Sequence, residues 1–254
     1  MKINRTVARA IDIIELLAKS DKPLTQLDIS RELDIPKSST FDLVYTLLQK
    51  NIIEFDNPEF KTFRLSINLF ELGSSVIAKN NLMSTAYQIM KSLSKQTGKT
   101  VFLAVESNRE VMYIHRVEDV PSIINAVNLG TRLPMYCTAL GKAILSTYDE
   151  DKLEKYWEKV SKVNYTNRTI RTYDALKEDL KQTRQRGYSL EDRELNPDSA
   201  CVGAAIRGYA NEAIAAISIS SIRSRVTEEE LDKLGELVKL AAQNISHKMG
   251  AGNL

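Results

Sequence analysis

The segment from Thr25 to Leu65 restricts the fold of this chain more than any other. Thr25 can cap a short helix carrying Leu27, Ile29 and Leu33 among polar residues, which ends near Asp34. Pro36 then suits the first turn of the next helix, where Phe41, Val44, Leu47 and Leu48 share one face. Only three or four residues separate the two. "IIEF" and "KTFRL" follow as β-type runs around Asn57-Pro58, which reads as a hairpin. An earlier helix over residues 4–19 places Val7, Ala10, Ile11, Ile14, Leu17 and Ala18 on a 3.6-residue stripe. Helix, helix, tight turn, helix and hairpin within about 65 residues predict a winged helix-turn-helix.

In that motif the second helix projects its first turn toward the edges of base pairs. Here the turn is Lys37, Ser38, Ser39 and Thr40. Free amides beside short hydroxyls and a lysine are good phosphate donors. A bland alternative makes Ser38 and Ser39 helix caps and Lys37 a solvated charge, but the surrounding pattern favours duplex DNA. Asp42 opposes this, since a carboxylate is unfavourable near phosphates unless it accepts from a cytosine amino group. Residues 1–68 hold ten basic and ten acidic side chains. Binding would therefore need Arg5, Arg9, Lys37, Lys61 and Arg64 concentrated on one face.

Residues 66–97 read as a long helical stretch, with Leu69, Leu72, Val76 and Ile77 as an apolar stripe that nothing local covers. A second copy of the chain is the expected cover, which makes this stretch a connector and a dimerisation element. From Thr100 the apolar period falls to two, in "TVFLAVES", "EVMYIHRV" and "SIINAVN", with a hairpin turn at Ser107-Asn108-Arg109. Helices are predicted at Thr138–Ser146, at Asp149–Trp157, and from Thr172 to a stop at Gly187. "YSLED", "CVGAAIRG" and "EAIAAISISS" are further strands. The last helix opens on a Thr227–Glu230 capping box. The predicted fold class is α+β, with an antiparallel sheet in the second domain. The boundaries are 1–66 for the winged helix, 67–80 for the linker helix and 81–254 for the second domain.

Composition excludes several classes. The 35 basic and 33 acidic residues give a net charge of +2, so bulk charge does not attract nucleic acid. No apolar run is long enough to span a membrane. Asp12 and Glu15 interrupt the opening apolar stretch, so it does not read as a signal peptide. Two cysteines, Cys137 and Cys201, suit a reducing cytoplasm. They could form a redox pair, although a buried cysteine is usually a small hydrophobe. No nucleotide-binding loop, hydrolase elbow or HExxH is present, so an enzyme is not expected. A module that docks another protein through the winged helix is the competing function.

The chain resembles the IclR family of bacterial transcription regulators over nearly its whole length. "TVARAIDIIELLA", "LTQLDISRELDIPKSSTFDLVYTLLQKNIIEF" and "FRLSINLFELG" resemble the family's first helix, helix-turn-helix and wing exit. "LPMYCTALGKAIL", "GYSLEDRELNPDSACVGAAI" and "AAISISS" resemble the signatures of its GAF-like effector domain. Three such blocks in order, behind a winged helix, are a specific combination. The resemblance implies a ligand-responsive regulator that binds near-palindromic operator DNA as a homodimer or homotetramer. It implies a small organic acid as effector and no cofactor. The chain departs from the family at Asp42, where a basic or amide residue is usual. It departs again at Tyr136 and Asp198, where His and Gly are frequent.

The residues themselves suggest where an effector would sit. Ser218 and Ser220 lie two apart on a strand, so both hydroxyls point to one face, opposite Ile217 and Ile219. Buried hydroxyls require partners. Thr138 starts a helix whose first amides attract carboxylates, and Gly141 permits a close approach. The resemblance implies that the amides of Ala139 and Leu140, with Glu191, Cys201, Ser218 and Ser220, line the effector site, and that Met135 forms its apolar wall. Glu191 beside an acid requires ligand hydroxyls or its own protonation.

Overall fold

A computed structural model describes residues 3–72, 81–118 and 127–251, and the chain divides into two compact units, Met1–Asn80 and Asn81–Leu254. The first unit holds helices α1 (Arg5–Lys19), α2 (Gln26–Glu32) and α3 (Lys37–Gln49). Its sheet consists of β1 (Leu24–Thr25), β2 (Ile53–Asn57) and β3 (Thr62–Leu65), in the order β1-β3-β2. Thr25 and Asp28 form a reciprocal capping box that starts α2. Asn57 accepts from the amides of Glu59 and Phe60 and so closes the wing turn. Ile13, Leu17, Ile29, Leu43, Val44, Leu47, Ile53 and Phe63 make the core.

Two expected stripes are displaced. On α3 the inward row is Thr40, Leu43, Val44 and Leu47, while Phe41 is 56% exposed. Phe41 and Val44 are three apart, but the i, i+3, i+4, i+7 row that meets the core begins one residue earlier. On α1 the inward residues are Ile13 and Leu17, with Ala10 and Ile14 packed against them. Val7 and Ile11 instead continue from Ile3 as a second, exposed row. Residues 68–72 are helical. Of the expected dimerisation stripe, Val76 and Ile77 lie outside the described residues.

The second unit begins with α4 (Asn81–Thr97). Strands β4 (Thr100–Ser107) and β5 (Glu110–Val117) form a hairpin, with Asn108 and Arg109 both at positive φ, as a type I′ turn requires. The "SIINAVN" strand falls mostly outside the described residues, and Val127 and Asn128 are not in a strand. A short β6 (Arg132–Pro134), not expected, pairs with β5. There follow α5 (Ala139–Leu145), α6 (Glu150–Lys159), α7 (Tyr173–Arg186), β7 (Ser189–Asp192), β8 (Ser199–Arg207), β9 (Ala213–Ile222) and α8 (Glu228–Lys248). All pairings in the six-stranded sheet are antiparallel, in the order β6-β5-β4-β9-β8-β7.

Alternation sorts the strand residues onto two faces. Val101, Leu103, Val202, Ala204, Ile217 and Ile219 pack with α4 and α8. Phe102, Ala104 and Ala216 pack on the other side with α5, α6 and α7. Cys201, Gly203, Ser218 and Ser220 share that second face, and this is where a cavity forms against α5.

Candidate DNA-contact face and effector cavity

The first turn of α3 has no side-chain cap, so Ser38 and Ser39 are not capping residues. Lys37 and Ser38 are exposed and Ser39 is half-buried. The amides of Lys37, Ser38 and Ser39 have no acceptor within the helix, whereas the Thr40 amide donates to the Pro36 carbonyl at 2.9 Å. Thr40 differs from its neighbours. It is fully buried, and its hydroxyl donates to the carbonyls of Pro36 (3.1 Å) and Ile35 (3.4 Å). Its place on the core-facing row removes it from any nucleic-acid contact. Asp42 is exposed on α3. Phe41 and Tyr45, one turn apart, stack with ring centroids 6.2 Å apart and are both more than half exposed. Sequence reasoning missed this pair by assigning Phe41 to the core. With Leu27, Phe55, Phe60 and Lys61 they border a groove of about 560 Å3.

The expected basic residues are spread across several elements. Lys61 is exposed, at φ 49° in the wing turn. Arg64 is already paired with two wing carboxylates, Glu54 at 2.8 Å and Asp56 at 3.3 Å. These acids lie eight and ten residues away across the hairpin, so no local sequence pattern shows the pairing. Arg5 and Arg9 sit on the first half of α1, exposed and half-buried respectively.

In the second unit a cavity of about 200 Å3 opens between the sheet and the first turn of α5. Ala139, Leu140, Glu191, Cys201, Ser218 and Ser220 all line it. Thr138 caps α5 by accepting from the Gly141 amide at 3.2 Å, and donates to the Pro134 carbonyl at 2.8 Å. Ser189 on β7 donates to the Ala139 carbonyl at 2.6 Å, which fixes the helix start against the sheet. The amides of Ala139 and Leu140 stand at the first two helical positions, where no intrahelical acceptor exists. A Cβ on Gly141 would collide with the backbone of Met135, and one on Gly203 would come within 2.9 Å of the Ala139 carbonyl. These close approaches press α5 onto the sheet.

Ser218 and Ser220 are buried at 3% and 7% exposure, so neither faces solvent. Cys201 donates its thiol to Ser220 Oγ at 3.3 Å. Glu191 Oε1 accepts from the amides of Glu194 (2.7 Å) and Leu195 (3.2 Å), and Ser199 donates to Oε2 at 3.2 Å. Burial pushes the Glu191 carboxyl up, against the pull of those amides and of Lys142. Met135 is fully buried but does not line the cavity, because it packs beneath Gly141. Phe102, Tyr113, Leu133 and Leu195 form the apolar wall instead. Burial holds Tyr113 as a neutral phenol. Tyr136 is also away from the cavity. Its hydroxyl bridges the Val163 backbone, and it meets Trp157 edge to face. Asp198 does not line the cavity either.

The redox reading of the cysteines fails on their surroundings. Both thiols are free, and burial pushes Cys137 up to about 12 and raises Cys201 as well, so neither offers a thiolate near neutral pH.

Sequence reasoning also missed a buried ionic cluster behind α5. Lys142 is fully buried and donates to Asp179 (2.9 Å) and Glu194 (2.6 Å). Burial pushes Glu194 up to about 7 against the pull of Lys142, and Asp179 shares that single ammonium. The two carboxylates hold the lysine protonated despite its burial. A lone cation inside the apolar run "TALGKAIL" was the available signal.

A helix-turn-helix with an exposed polar first turn, ahead of a unit with a cavity of ligand size, defines a ligand-responsive transcription regulator. Residues 6–57 match the family described as IclR helix-turn-helix domain, and residues 74–247 match Bacterial transcriptional regulator IclR C-terminal. The chain is 31% identical over 250 residues to the HTH-type transcriptional regulator XynR of Escherichia coli K12, covering 98% of this chain and 99% of that one. It is 29% identical to the Transcriptional repressor IclR of the same strain, covering 97% and 90%. The crystal structure of Thermotoga maritima IclR superposes with a TM-score of 0.79 at 28% identity, covering 96% and 98%. The chain belongs to the IclR family. It is a transcription regulator with a DNA-binding helix-turn-helix and an effector domain, and not an enzyme.

Proposed function

We propose that two copies of this chain read the half-sites of a near-palindromic operator, each laying α3 in the major groove. In this reading a small organic acid in the α5–β8–β9 cavity shifts DNA affinity. The exposed, uncapped first turn of α3 carries the DNA half of the proposal. Lys37 and the free amides hold phosphate, Ser38 and Ser39 reach toward base edges, and Lys61 on the wing meets the backbone. Arg5 and Arg9 add charge from α1. Arg64 contributes only if it leaves Glu54 and Asp56.

The cavity supports an acid of modest size. Its volume equals roughly seven water molecules in the liquid. The acid's carboxylate would take the Ala139 and Leu140 amides, and its remaining polar groups would meet Ser218, Ser220 and Glu191. A protonated Glu191 donates to the ligand, and an ionised one accepts from a ligand hydroxyl. The effector changes DNA affinity only by the difference in its own affinity for the two arrangements of the protein.

Fluorescence anisotropy on duplex from the region beside the chain's own gene tests the DNA half. Affinity should fall with salt at a slope of about −0.9 per phosphate neutralised, and Lys37→Ala should lower that slope by about one. Ser39→Ala should cost on the order of 1 kcal/mol if it contacts a base. The double change Ser218→Ala with Ser220→Ala should abolish the effector response and leave DNA binding intact. One observation favours a protein partner instead, namely the aromatic groove beside α3. A flat salt response would decide for that alternative.

A further inference from the structure

A second cavity, of about 340 Å3, lies where β8 runs past the end of β7. β7 pairs with β8 only as far as Gly203, so Ala204–Arg207 have a sheet neighbour on the β9 side alone among the described residues. The gap is lined by α7 with Thr183 and Arg184 and by α8 with Lys239, over a floor of small residues that includes Gly203 and Ala205. None of its lining residues is shared with the effector cavity.

The polar lining is cationic or neutral and contains no carboxylate. Arg184 is held by carbonyls, with Nε donating to Ser146 at 2.7 Å and Nη2 to Tyr148 at 3.3 Å. Arg207 donates through Nη1 to the Asn211 carbonyl at 2.7 Å. Carbonyls orient a guanidinium without cancelling its charge. Lys239 alone has an acid, Glu236, at 3.1 Å on the exposed side. Structural arginines in this unit are treated differently, since Arg168, Arg193 and Arg223 all converge on Asp192.

The fourth group is Thr183, 3% exposed, whose hydroxyl has no partner among the described residues. A helical threonine ordinarily returns its hydroxyl to the carbonyl one turn back. Buried hydroxyls without partners are rare, so this one calls for a ligand.

We propose that this cavity is a second ligand site, for a compact oxyanion on a short carbon skeleton. The arginines would give the oxyanion charge-assisted, forked hydrogen bonds, Lys239 would close over it, and Thr183 would bond one of its oxygens. A carboxylate and a phosphate ester share this chemistry, and the probes distinguish them.

The test titrates the full chain with inorganic phosphate, glycerol 3-phosphate and succinate at constant ionic strength, following backbone amides by NMR. At least one probe should saturate, with shifts centred on Thr183 and Gly203–Arg207. Lys239→Gln and Thr183→Val should each weaken binding about tenfold, the effect of one lost charge-assisted or buried contact. Melting of the ligand-free variants at the wild-type temperature shows that they fold. The proposal is overturned if no probe saturates below about 10 mM, if the shifts centre on Ala139 and Ser218, or if both folded variants bind like wild type. None of these readouts involves DNA, so the outcome is independent of operator binding.

Discussion

Replacing Lys142 with Met removes the ammonium to which Asp179 and Glu194 are both bonded, at 2.9 and 2.6 Å. Methionine fills nearly the same space, so the change isolates charge from packing. It leaves two carboxylates in a site where Asp179 Oδ1 and Glu194 Oε2 already have no hydrogen-bond partner among the described residues. Removing one partner from a buried pair costs about 3–5 kcal/mol. Protonation of Glu194, already pushed up to about 7, recovers part of this. The expected loss near pH 8 is therefore about 3 kcal/mol, at the lower end of that range. For a domain of this size that corresponds to a melting temperature lower by roughly 6–12 °C. The sign of the pH dependence follows from the raised Glu194 carboxyl. The folded variant holds a proton that the unfolded chain releases above about pH 4.5, so its stability falls as pH rises, by up to about 1.4 kcal/mol per pH unit. The deficit against wild type should thus be larger at pH 8 than at pH 5.5. Urea unfolding followed by Trp157 fluorescence reads it directly, since this single tryptophan packs against Tyr136 and Tyr173 in the same unit. A deficit below about 1 kcal/mol at pH 8, the size of an ordinary surface change, would refute the reasoning. So would a deficit that grows toward acid.

Three further outcomes follow from the same geometry. In the wild type, Glu194 is raised from 4.5 to about 7, so it should make stability decline between those values as pH rises, and Glu194→Gln should flatten that decline in pH-dependent urea melts. Gly141→Ala should destabilise the second unit by about 1–3 kcal/mol or more, because the new methyl meets the Met135 backbone, which cannot swing aside as a side chain can; an unchanged melting temperature would contradict the close packing of α5. Phe41→Ala should leave stability within about 0.5 kcal/mol, as expected at an exposed position, while weakening duplex binding in anisotropy assays. Loss of stability instead would return Phe41 to the core.

How much of this was legible in the sequence depends on whether the signal was local. Caps are local, so Thr25, Thr172, Gly187 and Thr227 marked their helix ends correctly. The alternation in "AAISIS" placed both serines on the cavity face, because the period of a strand is fixed. Phe41 failed because adjacent helical rows differ by one residue, and only the position of the neighbouring helices selects the row that turns inward. β1 and β6, of two and three residues, owe their existence to a partner strand and carry no period of their own. The same holds for most of the cavity wall. Phe102, Tyr113 and Leu133 come from three strands and meet only through register. Met135 was misassigned because its neighbour Leu133, two residues earlier, is the side chain that reaches the cavity. The pairing of Arg64 leaves no local pattern, because its acids lie across a hairpin.

These details converge on α5, a helix of seven residues and too short to be stable by itself. Its position is set from three sides. Gly141 seats it on the Met135 backbone, Ser189 holds the Ala139 carbonyl to β7, and Lys142 ties it to α7 and Glu194. The Glu194 amide in turn donates to Glu191, inside the cavity. The amides proposed to receive an effector therefore belong to an element held by the same buried ion cluster that touches the opposite wall. A ligand that changes the protonation of Glu191 alters the charge opposite Lys142 as well, so occupancy of the cavity and the hold on α5 are coupled through two hydrogen bonds. In such a site Glu194→Gln should flatten the pH-dependent decline in domain stability and change the pH dependence of effector binding with it.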